Sequence, residues 1–369
     1  MDDLATHHFT THRDAAIDAA IREDVTWLRD EILGAFPDAA ALFLVGGFGR
    51  GEGGVVQREG RWRPVNDYDF ELITVKPADE KELKQLGERC SRELKIPFVH
   101  VDNSVVWKQR VRRPSEYTVD LKFASLALHD PQDMRAKMTR VVPEQIPLMD
   151  GLMTLFTRTS ALLWLFDADK DWNATAADER LDLANQIAKA LLAVESAALI
   201  RAHRYCPDHG ERLVRFETLK PTQTHVEQMW WATAMKLRPD LTAVPDDLRA
   251  AWFRARDLHR AEVFRHASAM AGRPIGEERG LETWLLGESL SVWESLRLMQ
   301  PGRRAAWERR MRLAVAQVEA LGTLSDDGSA DEEAIGRLAG ICEELGEGVR
   351  LKSWEGVRRT LNSVFGKIW

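Results

Sequence analysis

Residues 41–75 constrain the fold more than any other stretch of this chain. Leu42, Phe43, Leu44 and Val45 form a short apolar run that stops at Gly46-Gly47; after a glycine-rich turn (GGFGRGEGG) and a polar insert, the chain resumes as VNDYDFELITV. An apolar run of that length, ended by two glycines, predicts a buried strand and then a tight turn into a helix start. The second run predicts another strand, on which Asp67 and Asp69 share one face because side chains alternate along a strand with period two. Two carboxylates side by side repel each other unless positive charge lies between them. A divalent cation is the simplest source of that charge, and carboxylate oxygens suit Mg²⁺ or Mn²⁺ better than Zn²⁺. The NH groups of residues 47–51, at the expected helix start, favour an anion by geometry and dipole, and Arg50 adds a charge at the same end.

GGFGRGE followed by DYD on the next strand resembles the nucleotidyltransferases of the DNA polymerase beta superfamily, in which a Gly-Gly or Gly-Ser turn precedes an Asp-x-Asp or Asp-x-Glu strand. The likeness covers residues 40–124, about a quarter of the chain. It implies that Gly46 and Gly47, with Arg50 and Gly51 beside them, bind a nucleoside triphosphate, and that Asp67 and Asp69 hold two metal ions. Where many relatives carry Ser, Gly47 offers only its backbone NH. The resemblance also implies a third carboxylate on a neighbouring strand. Asp102 ends the FVHVD run, and Asp120 sits in an apolar-flanked run over 117–124, read here as a strand; Asp120 is preferred, as ligand of the acceptor-side metal and as general base. On that strand Lys122 would share its face. Glu71 lies one step beyond Asp69 and either joins the metal cluster or meets a basic partner, the second being the commoner arrangement.

Other clusters have blander readings. The insert over 57–64 reads as a surface loop whose Arg58, Arg61 and Arg63 could close over phosphates. Residues 107–113 (WKQRVRR) are the densest basic run, read either as a contact for RNA or another anionic acceptor or as a solvated hairpin. His7, His8 and His12 precede or open the first helix and read as solvated. Arg204 and His209 look like the Arg-x4-His RNase motif of the helical HEPN family, but Pro207 would break a helix between them, so a helix end followed by a loop is expected.

The formal charge of −7 argues against a protein that coats nucleic acid non-specifically. Cys90, Cys206 and Cys342 have no metal spacing and fit a reducing compartment. The first residues lack a basic segment followed by an apolar one, and no run approaches a membrane span; a cytoplasmic protein without membrane partners is expected.

Apolar residues at helical spacing predict a helix over 11–36 and, beyond a boundary near 130–148, a series of helices over 150–166, 182–205, 224–236, 246–270, 281–299, 303–321, 331–345 and 354–364. The expectation is therefore an α+β chain: a catalytic domain over 1–140 with a small mixed sheet and flanking helices, then an all-α domain over 141–369 that binds the acceptor or regulates. The expected activity is Mg²⁺- or Mn²⁺-dependent transfer of a nucleoside monophosphate from an NTP to a hydroxyl of a small-molecule or protein acceptor. Transfer to RNA, or joining of nucleotides into a signal, is the alternative enzyme reading. A non-catalytic nucleotide-binding regulator is the alternative of another class.

Overall fold

The structure is a computed structural model describing residues 4–58, 60–167, 170–172, 174–287, 302–325, 329–348 and 353–368. The protein is α+β. Its described residues divide into two compact units, 1–147 with 203–243, and 148–202 with 244–369. The division is not the contiguous 1–140 and 141–369 expected from the sequence. Residues 203–243 return to the unit that holds the sheet, through buried contacts that the local helical pattern does not encode.

In the first unit, Asp14 caps helix α1 (Ala15–Ala35) by accepting the NH groups of Ala16 and Ile17. Ile17, Ile21, Val25, Leu28 and Ile32, three and four residues apart, are buried in the core that α1 shares with the sheet. Strand β1 (Ala41–Val45) leads into the single turn α2 (Gly46–Arg50). The insert expected as a loop is instead a hairpin, β2 (Val55–Arg58) and β3 (Arg61–Pro64). Next come β4 (Asp67–Thr74), α3 (Glu80–Leu94), β5 (Phe98–Val105), the turn α4 (Val106–Gln109), α5 (Glu116–Phe123), β6 (Leu126–His129) and α6 (Met134–Lys137). The main sheet has the order β5-β4-β1-β6, with β4 antiparallel to β1 and parallel to β5, which makes it mixed.

Period two sorts β4 between two cores. Tyr68, Phe70 and Leu72 pack with α1 and α3, while Ile73 joins Phe43, Val45, Leu121, Met134 and Met138 on the opposite side. Asp67, Asp69 and Glu71 therefore fall on the face covered by α5 and α6. Helices α9 (His209–Glu217) and α10 (Gln223–Leu237) complete this unit.

The second unit is helical: α7 (Leu148–Leu165), α8 (Ala177–Arg201), α11 (Leu248–Ala271), α12 (Glu278–Gly287), α13 (Arg303–Gly322), α14 (Glu332–Glu344) and α15 (Trp354–Ile368). Residues 288–299 of the helix expected over 281–299 lie outside the described residues. Phe166 gathers Trp172, Trp252, Phe253 and Trp354 into an aromatic core. By length and hydropathy α8 could cross a membrane, but 89% of that stretch is buried inside the fold, as in a core helix.

Candidate metal and phosphate site

Strand register assembles the first part of the site. Val45 pairs with Asp69 across β1 and β4, so the chain turns at Gly46 beside that carboxylate. Gly46 has φ +65°, and a Cβ there would lie 2.5 Å from Asp69 Oδ2. Both the left-handed backbone and the contact require glycine. On the other side, Asp69 stands opposite His100 in the parallel β4–β5 pair. One ligand atom each from Asp67, Asp69 and His100 lie within 4.8 Å of one another. His100 Nε2 is 3.7 Å from Asp67 Oδ2, too far for a hydrogen bond. Asn66 Nδ2 donates to Asp67 Oδ1, which holds that carboxylate in place. The His100 ring lies nearly parallel to exposed Phe98, with centroids 5.7 Å apart. The donor set, two carboxylates and an imidazole, fits a divalent cation.

Lys236 supplies positive charge from a distant part of the chain. It lies in the last turn of α10, which Arg238 ties to Thr11 through a hydrogen bond from Nη2 to the carbonyl at 3.1 Å. The Lys236 Nζ is 3.5 Å from where a Cβ on Gly47 would be, and the Lys236 carbonyl packs against Gly54. Burial lowers the pKa of this ammonium; nearby Arg50 lowers it further, while Asp67, Asp69 and Glu52 oppose the shift. Among the described residues Lys236 makes no ion pair and its ammonium no hydrogen bond. Lys236 thus brings a half-buried positive charge to the side of the glycine turn that faces Asp67 and Asp69.

Two of the expected site residues are engaged elsewhere. Asp120 is not on a strand; it lies in helix α5, which starts with a capping box between Ser115 and Thr118. It accepts from Arg50 Nη1 at 2.8 Å and from the Tyr205 hydroxyl at 2.9 Å, with Arg212 3.8 Å away. It is not part of the triad with Asp67 and Asp69; His100 is. Arg50, expected at the phosphates, is almost wholly buried between Asp120 and Glu52, the latter at 2.9 Å. Glu52 also accepts the His209 backbone NH at 2.7 Å. Burial raises the Glu52 pKa and pushes the Tyr205 hydroxyl well above its usual value. This network fastens residues 205–212 to the glycine turn and so places α10. Gly51 ends α2 with φ +78°, where a Cβ would lie 2.7 Å from the His8 carbonyl; its NH is taken by Phe48, so Gly51 shapes the turn.

The remaining candidates resolve into local structure. Buried Glu71 pairs with Arg112 at 3.0 Å and accepts from Ser104, Gln109 and Tyr117. Arg112 of the basic run is thus a structural partner, and Gln109 is buried beside it. Asp102 stands opposite Glu71, one step beyond His100 on the same face. Lys122 donates to the carbonyls of Met138 and Thr139. Arg61 and Arg63 face Asp24 of α1 at 2.9 and 3.9 Å. His7 contacts the Phe48 carbonyl and His8 pairs with Asp18. Arg204 donates to Thr218, whereas His209 is buried with its pKa driven down, first by desolvation; the two take different partners.

A cleft of about 1030 Å³ runs between α3 and β5, floored by Val99 and Val101 and bordered by Lys84, Arg92, Phe98 and His100. Of the triad, His100 alone lines it. Sequence reasoning missed both His100 and Lys236. The first was legible in the period of β5 counted from Phe98, which sets Phe98, His100, Asp102 and Ser104 on one face; for the second no local signal exists.

No protein-family model, curated protein or solved structure matches this chain.

Proposed function

We propose that the protein is a divalent-metal-dependent nucleotidyltransferase, moving a nucleoside monophosphate from an NTP to a hydroxyl acceptor with release of pyrophosphate. One observation carries the proposal: the half-buried ammonium of Lys236 stands beside Gly47 and within electrostatic reach of Asp67 and Asp69, with no ion pair among the described residues. A structural lysine so close to two carboxylates would be expected to pair with one of them. Lys236 forms no ion pair with either among the described residues, which leaves its charge for a metal-bound anion, and the GGFGRGE and DYD resemblance implies that this anion is a triphosphate.

In this reading Asp67, Asp69 and His100 would hold the ion, Mg²⁺ or Mn²⁺, which when bound would neutralise phosphate charge and favour ionisation of the acceptor hydroxyl. Gly46 and Gly47 let the backbone come close to the phosphates, where a side chain would exclude them. Lys236 steadies the charge that develops on the leaving pyrophosphate. Arg50, held between Asp120 and Glu52, keeps the turn in shape. The cleft along β5 is of a size suited to a small molecule or a short segment of a protein, which supports an acceptor of that kind over a nucleic-acid track.

The test is incubation with each of four alpha-labelled ribonucleotides and a divalent ion, with and without cell extract fractionated into metabolites, RNA and protein. Label moving into the metabolite or protein fraction, and lost in Asp67→Asn, is the expected result. Nucleotide binding with no transfer into any fraction would overturn the enzyme reading and leave a regulator.

A further inference from the structure

We infer that His100 makes the triad selective for a first-row transition ion over Mg²⁺. The inference rests on the reading of Asp67, Asp69 and His100 as a metal site, and concerns which ion that site prefers.

Three observations lead to it. The parallel register places the imidazole directly beside Asp69 on the same face of the sheet, on a strand and not on a loop. The next carboxylate on that face of β5, Asp102, comes one step later, opposite Glu71, and is not among the clustered ligand atoms. Thus nitrogen, not a third carboxylate oxygen, completes the set. Second, the 3.7 Å between His100 Nε2 and Asp67 Oδ2 is neither a hydrogen bond nor a wide separation. Two donors each roughly 2.1 Å from one ion stand about 3 Å apart when cis and about 4.2 Å apart when trans, so the observed gap falls within the span of a shared ion. Third, the ring lies against Phe98, which limits its rotation and favours presentation of an edge to the carboxylates.

The chemistry then decides the ion. Mg²⁺ is a hard cation that prefers oxygen and retains water, and an imidazole gives it little. From Mn²⁺ towards Cu²⁺, nitrogen donors bind with increasing strength. Two carboxylates with one imidazole keep Mn²⁺ within reach while penalising Mg²⁺ relative to a site of three carboxylates. His100→Asp should restore the oxygen-only set at a position that is half exposed, so the strand need not repack.

The experiment uses the full chain without nucleotide, with Mn²⁺ as probe and Mg²⁺ as competitor, read by electron paramagnetic resonance. The wild-type protein should bind Mn²⁺ more tightly than Mg²⁺, and bound Mn²⁺ should show modulation from a ligating imidazole nitrogen in pulsed spectra. In His100→Asp the nitrogen signal should disappear and the Mn²⁺ to Mg²⁺ preference should fall by about tenfold. An unchanged preference, or bound Mn²⁺ without the nitrogen signal, would overturn the inference while leaving the carboxylate site intact. Absence of Mn²⁺ binding, or binding unaffected by Asp67→Asn, would overturn the metal site and the inference with it. Because neither readout depends on turnover, failure of transfer in the labelling assay remains a separate result.

Discussion

Replacing Lys236 by Met tests the site most sharply, because the two roles a lysine could have there predict opposite signs. If the ammonium awaits a phosphate, the free protein loses no ion pair, since among the described residues Lys236 makes none. Met preserves most of the apolar stem and removes a charge that burial already disfavours. Stability should then stay level or rise slightly. The bound state loses a charge-assisted hydrogen bond worth roughly 1.5–3 kcal/mol, which raises the Kd for a nucleoside triphosphate by about 10- to 150-fold. A nucleoside monophosphate, which does not extend to the lysine, should bind almost as before. If Lys236 were a structural counter-ion of Asp67 and Asp69, its loss would leave buried charge unpaired at a cost of about 3–5 kcal/mol, and thermal unfolding would begin many degrees lower. Calorimetric titration with triphosphate and monophosphate, alongside thermal denaturation, separates the two cases. A lowered melting temperature with unchanged triphosphate affinity would refute the phosphate role. The pH dependence offers a second check. The Lys236 pKa lies below the usual 10.5, so triphosphate affinity should decline on the alkaline side earlier than for an ordinary lysine. Lys236→Met should lack that decline.

Asp67→Asn should abolish transfer and weaken Mn²⁺ binding while leaving the fold stable, because it relieves repulsion with Asp69; activity at the wild-type level would remove Asp67 from the site. Asp120→Ala should destabilise the sheet unit by about 3–5 kcal/mol, since Arg50 would remain buried without its main partner, yet should leave Mn²⁺ affinity unchanged in the folded fraction; loss of Mn²⁺ binding at full stability would make Asp120 a ligand after all. In the helical unit, burial holds His259 and His266 near a pKa of about 4, below the usual 6.5. Above 6.5 both are neutral folded or unfolded, so the unit is at full stability; as pH falls from 6.5 towards 4 the unfolded chain takes up the protons first, and up to roughly 3 kcal/mol per histidine is lost. Denaturant titrations at pH 7 and 4.5, with Phe substituted at either histidine, should show that acid sensitivity diminish; an identical pH dependence would refute the assignment.

What could be read from the sequence depended on how far apart the interacting residues lie along the chain. β1, β4, the glycine turn and the Asp67–Asp69 pair are legible because apolar alternation and two adjacent glycines report directly on backbone geometry. Residues 117–124 are harder, because Val119-Asp120-Leu121 suits a strand as well as a helix that buries Val119 and Leu121. The discriminating signal lies before them: Pro114, then Ser115 three residues ahead of Thr118, which closes the capping box and commits the segment to α5. Once Asp120 is on a helix, its oxygens meet Arg50 and Tyr205 and not the triad.

Lys236 left no such trace, because an amphipathic helix carries no record of which glycine its last lysine will approach. Its placement comes from a chain of buried partners, Glu52 on the His209 backbone, Asp120 on Tyr205, and Arg212 on the Cys206 carbonyl at 2.6 Å, all drawn from a segment that returns to the sheet after two helices of the other unit. The same links make a mechanical prediction. Tyr205→Phe removes the hydroxyl that donates to Asp120 and accepts from Arg212 Nη2, but keeps the ring, whose centroid lies 4.5 Å from the Arg212 guanidinium. It should therefore cost only about 1–3 kcal/mol, but it loosens the tether that positions α10. Triphosphate affinity should fall in this variant although residue 205 touches no phosphate, and monophosphate affinity should not. Equal losses for both ligands would mean that the tether supports the whole site and not Lys236 in particular.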